Sequence, residues 1–545
     1  MKRIFVAGQL VLLCLIVSTS LADTYPRQPG VDALNYSFRL TLSDETDEIA
    51  GEATVDLRFL EGGLSEFALD LANVKGGRGM VVSEVRSGGA ALKFAHAGDR
   101  LRITLDKASR AGERRLFTVR YRGIPAGGLR ILKNKFGERC FFSENWPDKA
   151  RQWLPMIDHP YDKATSEFII TAPTHYQVIA NGLLQEETDL EGLRRLTHWK
   201  QSVPIHSWSN AIGVARFSVH HAGPVKGVEL QTWVYRQERE AGPAWFEAAS
   251  RQAMEFFSEW IGPYSYEKLA NVEAAGFGGG TEHASAIFYG ENSILTSPAG
   301  GVTRSGVNLI AHEIAHQWFG NAVTQKDWDD IWLSEGFATY FTLLFAEHSR
   351  GRDDFVRGLK ESRATVFRLE KEIPNAPVVH DNLADMTKVT NRIIYQKGAW
   401  TLHMLRNLMG TDGFWNGIRA YYRRYRDGSA TTLDFQRAME EQSGLDLSWF
   451  FRQWLSRAGS PVIEGGWRYD PATGKVSLDL RQSQPGDPYR LPIEIGITIG
   501  GALKVEKVEL SQKAQRFEIA VDKEPDQVGI DPNTWLLAEM KFGKN

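Results

Sequence analysis

The sequence predicts an α+β chain of several domains, and the evidence is two switches in hydrophobic period. From residue 23 to about 220 the apolar residues alternate: Phe38, Leu40, Leu42, then Ala53, Val55, Leu57, Phe59, then Leu101, Ile103, Leu105. Such alternation marks strands with one buried face, and glycine turns such as Val74-Lys75-Gly76-Gly77 separate them, so residues 23–220 read as an all-β domain. Across 221–459 the spacing becomes helical. From Ser460 to Asn545 it returns to two, in Val476, Leu478, Leu480, then Ile493, Ile495, Ile497, Ile499, then Phe517, Ile519, Val521, which reads as a β-sandwich.

The first 22 residues stand apart. Lys2 and Arg3 precede an apolar run from Ile4 to Val17, and Ser20-Leu21-Ala22 puts small residues where a signal peptidase needs them. This predicts a secretory signal cleaved before Asp23 and an exported chain, periplasmic or secreted. An uncleaved anchor is the rival reading of the same stretch. After cleavage Cys140 is the only cysteine, so no internal disulfide forms, and Cys140 is read as a small buried apolar side chain. With 64 basic against 67 acidic residues and no basic block, nucleic acid is excluded as a partner, and nothing after the signal calls for a membrane.

In the central part, Phe246, Ala249, Ala253, Phe257 and Trp260 mark an amphipathic helix closed by Gly262-Pro263, followed by a strand around Leu269 to Ala274. The chemistry lies in the stretch HEIAHQWFGNAVTQKDWDDIWLSE, from His312 to Glu335. Residues four apart on a helix share a face, so His312 and His316 present two imidazoles to one ion. A catalytic zinc takes three protein ligands and leaves a position open. Glu313 lies beside the open position, where a general base is needed. Glu335, 19 residues after His316, is the candidate third ligand; the helix is expected to end near Gly320 and a second one to begin near Glu335. Ile310, Ile314 and Trp318 form an apolar stripe on the first helix, and Phe337, Tyr340, Phe341, Leu344 and Phe345 one on the second, with Gly351 past its end.

H-E-I-A-H-Q-W-F-G-N followed by W-D-D-I-W-L-S-E-G-F-A resembles the M1 family of zinc metallopeptidases, the gluzincin aminopeptidases. The resemblance implies a saddle-like amino-terminal β domain, a thermolysin-like catalytic domain and a terminal sandwich, with one zinc per chain on His312, His316 and Glu335. The stretch G-F-G-G-G-T-E-H, from Gly276 to His283, is similar to the family's exopeptidase motif G-x-M-E-N. Gly279, Gly280 and Glu282 match, while Thr281 replaces Met and His283 replaces Asn. Glycines at a strand edge let a peptide backbone approach, and Glu282 would then face its free ammonium. In the segment Phe141 to Pro160, Glu144 stands where many relatives carry an amine-holding glutamine and Trp146 where many carry a second acid; Arg151, Pro155, Asp158 and Pro160 read as turn chemistry. Tyr395, in Y-Q-K-G-A, matches the tyrosine whose hydroxyl donates to the oxyanion. Lys397 reads as structural.

These features imply an aminopeptidase acting on peptides with a free amino terminus. Two other readings share them: an endopeptidase of the same chemistry, motivated by Thr281, His283 and Trp146, and a non-catalytic peptide-binding relative.

Overall fold

The structure is a computed structural model that describes residues 23–293 and 304–545. The signal-peptide reading of 1–22 lies outside the described residues. Among the described residues no helix is long and apolar enough to cross a membrane.

The amino-terminal part is built as its alternation predicts. Phe38, Leu40, Ala53, Val55, Leu57 and Phe59 are all fully buried on one face of an eight-stranded sheet. Within it Val31–Thr41 pairs antiparallel with Ile49–Phe59 and parallel with Ala164–Pro173. A smaller sheet, containing Arg139–Glu144, packs its buried Cys140, Phe141 and Phe142 into the same core. Burial pushes the Cys140 thiol up to about 12, so at neutral pH it is a protonated, inert side chain.

Strand Phe217–Val225 spans the boundary placed at 220 and joins the five-stranded sheet of the central domain. That sheet ends in the two-residue edge strand Gly280–Thr281, paired antiparallel with Ala286–Gly290. Helix α1, Gly242–Trp260, covers the sheet with Phe246, Ala253 and Phe257. Helix α2 is Arg304–His316, α3 is Trp332–Arg350, α4 is Arg352–Glu372 and α5 is Arg392–Met409. Helix α2 stops at His316 instead of near Gly320. Gln317 and Trp318 donate to carbonyls only three residues back, and Gly320, at φ +113°, turns the chain away. Ile310, Ile314 and Trp318 are nonetheless fully buried, so the apolar stripe continues past the helix end.

The carboxy-terminal part forms a four-stranded and a three-stranded sheet. Val476, Leu478, Ile495 and Ile497 fill the space between them. Phe517 and Ile519 are only half buried, because their strand, Ala514–Ala520, is at the edge of its sheet.

His403 joins α5 to this sandwich. Its Nε2 donates to the Thr534 carbonyl at 2.9 Å, Nδ1 accepts from the Tyr340 hydroxyl at 3.1 Å, and the ring stacks on Trp535. Burial, aided by Arg406 and Arg352, pushes its pKa down to about 3. Between that value and the free value of about 6.5, the unfolded chain binds a proton that the folded chain refuses. His403 therefore stabilises the fold fully above pH 6.5 and loses its contribution as the pH falls. Buried Asp531, raised to about 7, titrates with the opposite sign, so the test compares the native protein with His403→Gln. Their difference in unfolding free energy, read from urea titrations, is expected to shrink by about 2 kcal/mol from pH 7.5 to pH 5.

Candidate metal centre and amine anchor

Helix α2 carries His312, Glu313 and His316, and the first turn of α3 carries Glu335. Packing of the two helices brings His312 Nε2, His316 Nε2 and Glu335 Oε2 into a triangle with sides of 3.2, 3.3 and 3.6 Å. Tetrahedral donors about 2.1 Å from an ion stand about 3.4 Å apart, so the triangle has the size a zinc ion requires. Glu335 Oε2 is buried and faces the two imidazole nitrogens without a hydrogen bond of ordinary geometry among the described residues, the setting of a ligand atom. Burial opposes charge on this carboxylate, but the two imidazoles outweigh it and bring its pKa down to about 2.

His316 is oriented from behind. Its Nδ1 lies 3.2 Å from the Phe319 carbonyl and 3.0 Å from Ser334 Oγ, which selects the tautomer with Nε2 toward the centre. The early end of α2 makes this possible by folding Phe319 back under the ring. Replacing Ser334 by Ala is expected to weaken zinc about tenfold, measured by competition with a chelator, since the Phe319 carbonyl still holds the ring.

Glu313 is 4% exposed. Burial raises its pKa well above the carboxylate range, with Glu282 and Glu335 adding to the effect and His316 opposing it. The edge strand passes so close that a Cβ on Gly280 would fall 2.3 Å from Glu313 Cδ. Gly280 is thus needed for approach, not for a special dihedral. Gly280→Ala is expected to displace the carboxylate and lower kcat on an aminoacyl amide about 100-fold with zinc content unchanged.

Glu282 follows that strand and is 6% exposed. Its carboxylate, the Glu313 carboxylate and a His316 ring nitrogen lie within 4.8 Å of one another. The carbonyl of Glu282 accepts from Gln317 Nε2 at 3.0 Å and from Asn321 Nδ2. Gln317 also accepts from the Ser285 backbone at 3.0 Å and so holds that residue at φ +64°, a left-handed conformation costing about 1 kcal/mol or more for serine.

Tyr395 lies in the first turn of α5. Helices α3 and α5 touch at Gly336 and Gly398, where a Cβ on Gly336 would be 3.0 Å from the Gly398 Cα. That close crossing brings the Tyr395 ring to 6.3 Å from the His312 ring, stacked upon it. Burial, with Glu335 next, raises the phenol well above its ordinary pKa, so it remains a proton donor. Lys397, fully buried, donates to Glu370 at 3.1 Å and to backbone carbonyls, a structural role.

Three further residues of the exopeptidase reading have settings the sequence did not show. Glu144 is outside both groupings of ligand atoms; it pairs with Arg130 at 2.9 Å and Lys149 at 3.3 Å, and Arg130 also donates to the Gly276 carbonyl. Its charge is already matched, and it ties the amino-terminal sheet to the start of the glycine loop. His283 is 1% exposed and packs edge-on against Phe288 with neither ring nitrogen bonded among the described residues. Burial pushes its pKa down to about 3, so it brings no charge to the site. Trp146 packs at right angles against Trp208 and Trp328. Sequence reasoning missed Gln317, Asn321, Ser334 and Trp208. The first three lie inside the quoted motifs, and a polar side chain on an otherwise apolar turn was the available signal.

Residues 32–208 match the model of the peptidase M1 N-terminal domain, and residues 246–454 that of the peptidase family M1 domain. The chain belongs to the M1 family. Among M1 relatives, it is 28% identical over 367 residues to glutamyl aminopeptidase of Mus musculus, covering 65% of this chain and 38% of that protein. To the puromycin-sensitive aminopeptidase of Caenorhabditis elegans it is 27% identical over 422 residues, covering 74% of this chain and 44% of the relative. The chain thus spans less than half the length of these curated relatives. The crystal structure of a mutant M1 zinc metallopeptidase from Deinococcus radiodurans superposes with a TM-score of 0.67 at 26% identity, covering 80% of this chain and 96% of that one.

Proposed function

We propose that this M1 protein is an exported zinc aminopeptidase that removes the first residue of peptides. The observation that carries this reading is the placement of the Glu282 carboxylate beside Glu313 and the metal triad. His312, His316 and Glu335 would hold zinc, which when bound supplies Lewis acidity toward water and the scissile carbonyl. Glu282 binds the α-ammonium of the substrate, so the first peptide bond lies over the triad. Gly279 and Gly280 let the substrate backbone reach the edge strand. Glu313 takes the proton of the attacking water and passes it to the leaving amine. The Tyr395 hydroxyl donates to the oxygen on the tetrahedral carbon.

Chain position thus selects the bond cut. A free-amine aminoacyl amide is expected to turn over at least about 100-fold faster than its N-acetyl copy, since the copy leaves Glu282 buried without its cation. Equal rates would mark an endopeptidase, and zinc binding with no turnover of either would mark a peptide-binding relative. The name of the glutamyl aminopeptidase relative motivates testing a glutamyl amide among the substrates. Export rests on residues 1–22, and amino-terminal sequencing of the exported protein, expected to begin at Asp23, tests it.

A further inference from the structure

Glu282 is held at three points. Gln317 and Asn321 fix its backbone from the α2 side. The third hold is on the carboxylate itself and comes from the other domain: Trp208 Nε1 donates to Glu282 Oε1 at 3.2 Å. Trp208 lies in a short helical turn, Ser207–Ser209, between the strands of the amino-terminal sheets. It is 1% exposed, and its ring is stacked on His206 at 3.3 Å and flanked by Trp146 at 5.4 Å and Trp328 at 4.9 Å. His206 is tied in turn to Asn321, so the ring stack and the Glu282 backbone share one support. An indole has a single donor and needs a partner when buried. With its plane set on three sides, that donor has one direction, and Glu282 lies along it.

We propose that Trp208 is a positioning residue for the amine anchor: it holds one oxygen of Glu282 so that the other meets the α-ammonium of the substrate. This rests on the aminopeptidase reading. The carboxylate has a competing destination. It lies within 4.8 Å of ligand atoms of Glu313 and His316, so an untethered side chain can turn toward the metal centre instead of the substrate. A hydrogen bond to an ionised acceptor is strong enough to decide between the two. The amino-terminal domain therefore takes part in reading the substrate, through a residue 74 positions before Glu282 in the chain.

The test measures binding by calorimetry in the zinc-loaded Glu313→Gln protein, which does not consume its ligand, with a dipeptide amide and its N-acetyl copy. Adding Trp208→Phe, which removes the N–H and keeps an aromatic ring, is expected to weaken the free-amine ligand about tenfold and leave the acetylated copy unchanged. In the otherwise native enzyme the same change raises KM far more than it lowers kcat. Equal weakening of both copies, or no weakening, overturns the assignment. If the phenylalanine variant does not fold, 3-benzothienylalanine at position 208 keeps the indole shape without the donor and gives the same readout. A parent protein that binds both copies equally overturns the aminopeptidase reading and this assignment with it. A parent that prefers the free amine, with a variant that retains the full preference, overturns the role of Trp208 alone.

Discussion

Glu313→Gln is expected to keep one zinc per chain and lower kcat on an aminoacyl amide by about 10²- to 10⁴-fold, the range general-base catalysis contributes. The amide has the size and shape of the carboxylate, so the packing of Gly280 against position 313 survives. It has no lone pair basic enough to take a proton from water. Metal analysis beside steady-state kinetics checks both halves. Near-native turnover would remove Glu313 as the base, and loss of zinc would make it part of the metal site.

Glu335→Ala is expected to have the larger effect on the metal. It removes one corner of the 3.2, 3.3 and 3.6 Å triangle and the only anionic ligand in it. Loss of a supporting hydrogen bond costs roughly 10- to 100-fold in metal affinity, and loss of a ligand should exceed that. The variant should therefore emerge from dialysis against a weak chelator without zinc and without activity, while Ser334→Ala under the same conditions retains most of both. Zinc at full occupancy in Glu335→Ala would exclude Glu335 as a ligand.

The two sites differ in how far they could be read in advance. His312, Glu313 and His316 are related by helix geometry alone, because a four-residue step on an α-helix fixes which side chains share a face. The burial of Phe38, Leu40, Val55 and Leu57 followed from the two-residue period of a strand in the same way. Glu335 needed a turn and a second helix, and its spacing from His316 made it a candidate that the family motif then supported. The end of α2 at His316 was not legible, since Gln317, Trp318 and Phe319 are compatible with continued helix, yet Gln317 and Trp318 bond three residues back ahead of the turn at Gly320. Glu144 shows the limit most clearly. A carboxylate at a motif position says nothing about Arg130 and Lys149, which pair with it in the folded chain.

Local periodicity thus carries the order of domains, the helical face that holds two imidazoles and the buried face of each strand, because these depend on dihedral repeats within a few residues. The shape of the amine anchor depends on contacts between distant segments: Trp208 on Glu282, Gly280 on Glu313, and Gly336 on Gly398. Each is a close approach of backbone or ring across different elements. Its existence depends on how a sheet edge, three helices and a neighbouring domain pack, and one-dimensional spacing holds no record of that distance.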